Sequence, residues 1–155
     1  MKTSEMNVLL TGATGGLGEQ IAEAFALAGA KLLLSARDGD RLSALCDRLR
    51  AQSGIAAMHV ADLTSKSAIT SLKNAAVEFH GGTNVLINNA GLNDFDFFAS
   101  QAPSELAKII EVNVTAPMLL THALLPELRR RKQSLIVNIG SVAGSIGLPG
   151  QVAYS

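Results

Sequence analysis

Aromatic residues are scarce in this chain of 155 residues, which has no tryptophan, one tyrosine and five phenylalanines. Any core must be assembled from Ala, Val, Leu and Ile, the residues that fill helix-covered parallel sheets. Cysteine is nearly absent as well. Cys46 stands alone, which excludes an intrachain disulfide and fits a reducing compartment. With Leu45 and Leu49 beside it in a helical pattern, it reads as a small core residue. Net charge is zero, with 13 basic and 13 acidic side chains, so nothing steers the chain toward nucleic acid or an anionic membrane. One basic run, Arg129-Arg130-Arg131-Lys132, ends a long helical pattern, where cations suit the dipole, and reads as a solvated last turn. No apolar run approaches the roughly 18 residues of a membrane span. The start, Met1-Lys2-Thr3-Ser4-Glu5, leads straight into a strand and does not read as a signal peptide. His59, His80 and His122 lack metal-ligand spacing. The expectation is a soluble, cytoplasmic protein with no metal, membrane or nucleic-acid partner.

What the chain does have is apolar residues, 48% of the total. Its length suits one domain over residues 1–155 and allows burial of about 70% of the unfolded surface. Short apolar runs alternate with helical patterns throughout. Strands are expected at Asn7–Thr11, Lys31–Ala36, Ala56–Val60, Val85–Asn88 and Leu135–Ile139. Helices are expected at Gly16–Ala28, Asp40–Gln52, Lys66–Phe79 and Pro103–Arg131, the last kinked at Pro117. Such alternation implies parallel β-α-β units. Right-handed crossovers then give an α/β fold: a Rossmann-type doubly wound sheet in the order 3-2-1-4-5, with helices on both faces. The tail from Gly140 to Ser155 holds four glycines and a proline and reads as a loop.

In such a sheet ligands bind beyond the carboxyl ends of the strands, where strand order reverses. The residues following each strand are therefore the informative ones. After the first comes Thr11-Gly12-Ala13-Thr14-Gly15-Gly16-Leu17-Gly18, between an apolar run and a helical segment. Strand, glycine-rich turn and helix form the setting of a dinucleotide-phosphate site, because glycine lets backbone approach the ligand and the first-turn N–H groups face it. After the second comes Ala36-Arg37-Asp38. No acid ends the strand to hold a ribose 2′-hydroxyl, and the Arg37 guanidinium suits a 2′-phosphate, which favours NADP over NAD. Asp38 fits better as the cap of the next helix. After the third comes Asp62-Leu63, where the acid either accepts from an adenine amino group or caps the following helix, a task Thr64 competes for. Asn88-Asn89-Ala90-Gly91 follows the fourth, and Ser141 the fifth, with Tyr154 thirteen residues on.

With those residues in view, the chain resembles the short-chain dehydrogenase/reductases of the compact type. The matching pieces are Thr-Gly-x-x-x-Gly-x-Gly at 11–18, Asp62-Leu63, Asn-Asn-Ala-Gly at 88–91, Asn113 within Val112-Asn113-Val114, Ser141, and Tyr154 within Gln151-Val152-Ala153-Tyr154-Ser155. The stretch Leu148 to Ser155 looks most like bacterial 3-oxoacyl thioester reductases. The resemblance implies reversible hydride transfer between NADP(H) and an alcohol or ketone. It makes Tyr154 the acid/base group, lets Ser141 hold the substrate oxygen, and gives Asn113 a water in a proton relay. It assigns cofactor contacts to Thr11, Gly12, Gly16, Leu17, Gly18, Arg37, Asp62, Leu63, Asn88, Ala90 and Gly91. It also implies a homo-oligomer assembled through the helix that holds Asn113. Read without it, Ser141 is a turn residue, Asn113 a helix-kink residue near Pro117, and Tyr154 a packing residue.

Two departures matter. Gly15 stands where many NADP-preferring relatives carry a basic residue, which weakens that preference. The family also places a lysine four residues after the tyrosine, and this sequence ends at Ser155. A free phenol titrates near pH ~10 and needs a neighbouring cation to serve as a proton carrier at neutral pH. The 155-residue chain is therefore expected to be a truncated reductase of little or no activity, or else a nucleotide-binding or subunit-interaction module without catalysis. The last strand is expected to leave apolar residues uncovered at a sheet edge. Phe95, Phe97 and Phe98 either line an apolar pocket or cover the helix that follows.

Overall fold

Five apolar runs meet as one parallel sheet. The computed structural model describes residues 1–155 and places strands β1 (Asn7–Thr11), β2 (Lys31–Ala36), β3 (Ile55–Val60), β4 (Val85–Asn88) and β5 (Leu135–Asn138). Their order is β3-β2-β1-β4-β5, the expected doubly wound arrangement. Leu10 of β1 lies opposite Leu34 of β2 and Ile87 of β4, and Asn88 lies opposite Asn138. Helices α1 (Gly16–Leu27), α2 (Gly39–Ala51), α3 (Lys66–Glu78), α4 (Pro103–Ile110) and α5 (Ala116–Arg130) cover both faces. The ends differ from expectation by one residue at most, apart from the long last helix.

The unbroken run Val8-Leu9-Leu10 follows from burial on both faces, since successive side chains point to opposite sides. Val8 and Leu10 join Leu32 and Leu34 under α1 and α2, packed with Ala22, Leu42, Leu45 and Leu49. Leu9, Leu33 and Leu86 face the other way, against Leu72 of α3 and Leu120, Leu124 and Leu128 of α5. Cys46 is fully buried in the first cluster, and that burial pushes its thiol pKa up. At the sheet edge, Leu135 and Ile136 of β5 are exposed.

The long helix changes its winding just before Pro117. Glu111–Thr115 forms one wide π turn between α4 and α5, in which the Ala116 N–H bonds back to the Glu111 carbonyl. Pro117 has no N–H and its ring would crowd the carbonyl four residues earlier, that of Asn113, so a locally wider turn relieves the conflict. Backbone angles stay helical through Thr115 and Ala116. The continuous helical stretch Pro103–Arg130 contains an 18-residue window of mean hydropathy 1.3, enough by length and composition to cross a bilayer. It lies along the sheet, with Ile109, Ala116, Leu120, Leu124 and Leu128 in the core and Val114, Met118 and Leu125 on its outer side.

Two smaller expectations change. Neither Asp62 nor Thr64 caps α3; Ser65 does, accepting from the Ala68 N–H. The basic run after α5 is not wholly solvated. Arg131 turns inward, pairs with the buried carboxylate of Glu127 and donates to the Gly81 carbonyl.

Candidate functional site

Strand order reverses between β1 and β4, and their outgoing loops leave a crevice there. The crevice is a cavity of about 750 Å³. Its floor depends on close backbone approach. Gly12 has φ +65°, and a Cβ on it would sit 2.7 Å from the Ala90 Cα. A Cβ on Gly18 would strike the Gly12 carbonyl oxygen, so α1 can lie against the turn only with glycine there. Gly16 differs: a Cβ on it meets no protein atom within 4 Å, and the residue lines the cavity. Gly15 at the N-cap offers no side chain, so the first N–H groups of α1 are left for an anion.

The β1 and β4 loops are stitched together. The Thr11 hydroxyl accepts from the Asn89 and Ala90 N–H groups, both at 3.1 Å. The Asn89 amide donates to the carbonyls of Thr11 (3.0 Å) and Gly12 (3.1 Å). Asn88 donates to Asn138 (2.8 Å) and Thr121 (3.1 Å), tying β4 to β5 and α5. Thr11 and Asn88 are buried and absent from the cavity wall; their side chains hold the frame. The other expected residues line it together: Gly12, Gly16, Leu17, Gly18, Arg37, Asp62, Leu63, Ala90 and Gly91, with Asn113, Ser141 and Tyr154.

Asn113 sits in the π turn, and both ends of its amide bond to Leu92. Oδ1 accepts from the Leu92 N–H at 2.8 Å and Nδ2 donates to the Leu92 carbonyl at 2.7 Å. The side chain therefore fastens the loop after β4. The Asn113 carbonyl would take its α-helical hydrogen bond from residue 117, which is proline. Ser141 Oγ accepts from the Ala143 N–H at 3.1 Å, which orients the hydroxyl and leaves its proton free to donate. Tyr154 follows a turn closed by its own N–H to the Gln151 carbonyl at 3.0 Å. That tail is held to the β4 loop, where the Asp96 N–H reaches the Gly150 carbonyl (3.0 Å) and the Phe95 ring lies over Gly150. Phe97 and Phe98 are exposed, so the three rings form neither a pocket lining nor a helix cover.

Asp38 caps α2 through the Arg41 N–H at 3.0 Å. Asp62 Oδ1 accepts from both the N–H and the hydroxyl of Thr64. Those bonds, helped by the charges of Arg37 and Lys108, hold its pKa below the usual carboxylate value. A depressed folded pKa gives stability that is present above the ordinary value near pH ~4 and lost as acid reaches the folded value. Below about pH 4, the melting temperature of Asp62→Asn should therefore fall less steeply than that of the wild type, as read from melts across an acid series. Equal slopes would remove Asp62 from the acid response.

Two cavity residues were not singled out from the sequence. Ser35 borders the cavity and is 1% exposed, and its buried hydroxyl has no protein partner. Arg41 also lines it, with Nη2 2.6 Å from the Thr14 carbonyl. A base in the first turn of the helix after β2 was the available signal for Arg41. Nothing in the sequence distinguishes Ser35 from an ordinary strand residue.

A profile described as short chain dehydrogenase matches residues 6–155. Among curated proteins, dehydrogenase/reductase SDR family member 7B of Bos taurus is 36% identical over 154 residues, covering 96% of this chain and 47% of that protein. Ketoacyl reductase HetN of Nostoc sp. is 37% identical, covering 96% of this chain and 52% of its own. The chain thus spans about half the length of these relatives. Among solved structures, a metagenomic short-chain oxidoreductase in complex with NADP superimposes with TM-score 0.91 at 34% identity, covering 98% of this chain and 70% of that one. A short chain dehydrogenase/reductase from Burkholderia phymatum in complex with NAD does so with TM-score 0.94 at 29% identity, covering 99% and 55%.

Proposed function

The chain belongs to the short chain dehydrogenase family, a family of oxidoreductases, and from that membership we propose that it forms the dinucleotide-binding part of an NADP(H)-dependent alcohol/ketone oxidoreductase. One observation carries the reading. A single cavity is bounded by the uncapped start of α1 and also by Ser141 and Tyr154. Phosphate-holding backbone and proton-handling side chains thus share one enclosure.

A bound nicotinamide supplies or accepts the hydride. The residues of the chain do the rest. The N–H groups opening α1 hold the diphosphate. Ser141 donates its free proton to the substrate oxygen and fixes the carbonyl. Tyr154 exchanges a proton with that same oxygen. Each end of the Asn113 amide spends one bond on Leu92 and keeps one more, and its backbone carbonyl, whose α-helical donor would be Pro117, offers a further seat for a relay water. Arg37 meets the 2′-phosphate, and the absence of an acid at the end of β2 supports NADP. A 3-oxoacyl thioester is the favoured substrate class, given the likeness to a ketoacyl reductase.

The test uses fluorescence titration with NADPH and NADH, and NADPH oxidation with ketones and 3-oxoacyl thioesters. The 155-residue polypeptide binds NADPH more tightly than NADH. Arg37→Ala lowers that preference about tenfold, the value of one charge-assisted contact. Failure to bind either dinucleotide overturns the reading.

A further inference from the structure

We propose that Glu19 sets the preference for the phosphorylated cofactor by competing with its 2′-phosphate for the Arg41 guanidinium. The inference rests on the NADP reading above.

The Arg41 backbone is fixed in the first turn of α2 by its N–H bond to Asp38. Its guanidinium reaches back to the glycine-rich turn. There Nη2 donates to the Thr14 carbonyl at 2.6 Å and lies 3.4 Å from Glu19 Oε1. Arg37, four residues earlier, borders the same cavity and takes part in none of the ion pairs. A phosphate on the ribose enters between the end of β2 and the turn after β1. It meets one guanidinium already free and a second tied to a carboxylate.

Glu19 can release that second group at small cost. Its other oxygen, Oε2, accepts from Arg48 at 3.1 Å, and Arg48 also pairs with Glu23 at 3.0 Å. When Arg41 turns to a phosphate, Glu19 keeps Arg48 as its counter-ion. The carboxylate still opposes the phosphate in two ways. It holds Arg41 before the cofactor arrives, and its own negative charge lies beside the guanidinium that the phosphate must take. Glu23 is one turn further along α1 and touches Arg48 alone. Exchanging it changes the net charge equally without loosening Arg41.

The experiment compares NADPH and NADH affinities in wild type, Glu19→Gln, Glu23→Gln, Arg41→Gln and the Glu19→Gln/Arg41→Gln double variant. The quantity read is the affinity ratio within each protein, so a folding defect that weakens both dinucleotides alike leaves it unmoved. Glu19→Gln raises the ratio about threefold, the size of a partly exposed charge effect. Glu23→Gln leaves it unchanged, Arg41→Gln lowers it, and in the double variant the gain disappears. Equal shifts from Glu19→Gln and Glu23→Gln, or a gain that survives loss of Arg41, overturn the proposal while leaving the NADP reading standing. If the wild type binds neither dinucleotide, the NADP reading itself fails.

Discussion

Gly18→Ala melts far below the wild type and loses dinucleotide binding, whereas Gly16→Ala melts no lower and binds about tenfold more weakly. The two glycines are two residues apart in the same helical turn, yet they serve different partners. A Cβ on Gly18 runs into the Gly12 carbonyl oxygen and crowds Ala13 at 3.0 Å. Both are backbone, which no rotamer change can move aside. Forcing a methyl into such a contact costs about 3 kcal/mol, the upper part of the overpacking range. For a domain of this size that is a drop of about 6–12 °C. The turn that shapes the phosphate site shifts with it. A Cβ on Gly16 meets nothing of the protein. Alanine there stabilises slightly, by about 0.4–1 kcal/mol, through the unfolded state. Its methyl enters space that only a ligand occupies, so affinity falls about tenfold, or about 1.4 kcal/mol. Thermal melts and NADPH titrations of the two variants check this. Undiminished affinity in Gly16→Ala would mean that the diphosphate does not approach that residue.

Arg131→Ala has the second large effect, and it lies at the opposite end of the sheet. Glu127 is 8% exposed, and its carboxylate rests on Arg131, with Arg130 farther off at 4.0 Å. Arg131 also closes over the loop before β4 by donating to the Gly81 carbonyl. Removing it strands a buried charge, which typically costs about 3–5 kcal/mol. The expected fall in melting temperature is about 6–20 °C. The double variant Arg131→Met/Glu127→Leu recovers most of that loss, because an apolar pair of similar volume avoids the desolvation. Melts of the single and double variants decide it. A single variant as stable as wild type would show that Glu127 finds water or another cation.

Sequence reasoning reached the fold because the sheet is covered on both faces. Val8-Leu9-Leu10 and Leu32-Leu33-Leu34 are unbroken apolar runs for that reason, and parallel crossovers leave few strand orders to consider. Most of the cavity wall was legible because its residues follow strands. The chain order does not say on which side of the wall a side chain falls. Thr11 and Asn88 end their strands, yet their side chains turn inward, Thr11 to the β4 loop and Asn88 to β5 and α5. Asp62, Thr64 and Ser65 are all able to cap a helix, and only the exit path of β3 selects Ser65. Arg131 and Arg130 are identical neighbours in the sequence; rotation about the α5 axis sends one inward and leaves the other exposed. The meeting of Glu19 with Arg41 and Arg48 joins two helices, and no spacing within either one announces it.

The wide turn at Glu111–Thr115 also fixes an angular phase. Each residue in a regular helix advances the next by about 100° around the axis. Tightening this turn to ordinary α-helical geometry with every residue kept would leave the hydrophobic content untouched. It would rotate everything downstream by about that angle and carry Leu120, Leu124 and Leu128 off the sheet, whereas deleting one residue as the turn tightened would restore the phase. The extra residue is thus a gear setting: it lets the amide of Asn113 face Leu92 while the same rod, a few residues later, still presents its oily stripe to the strands.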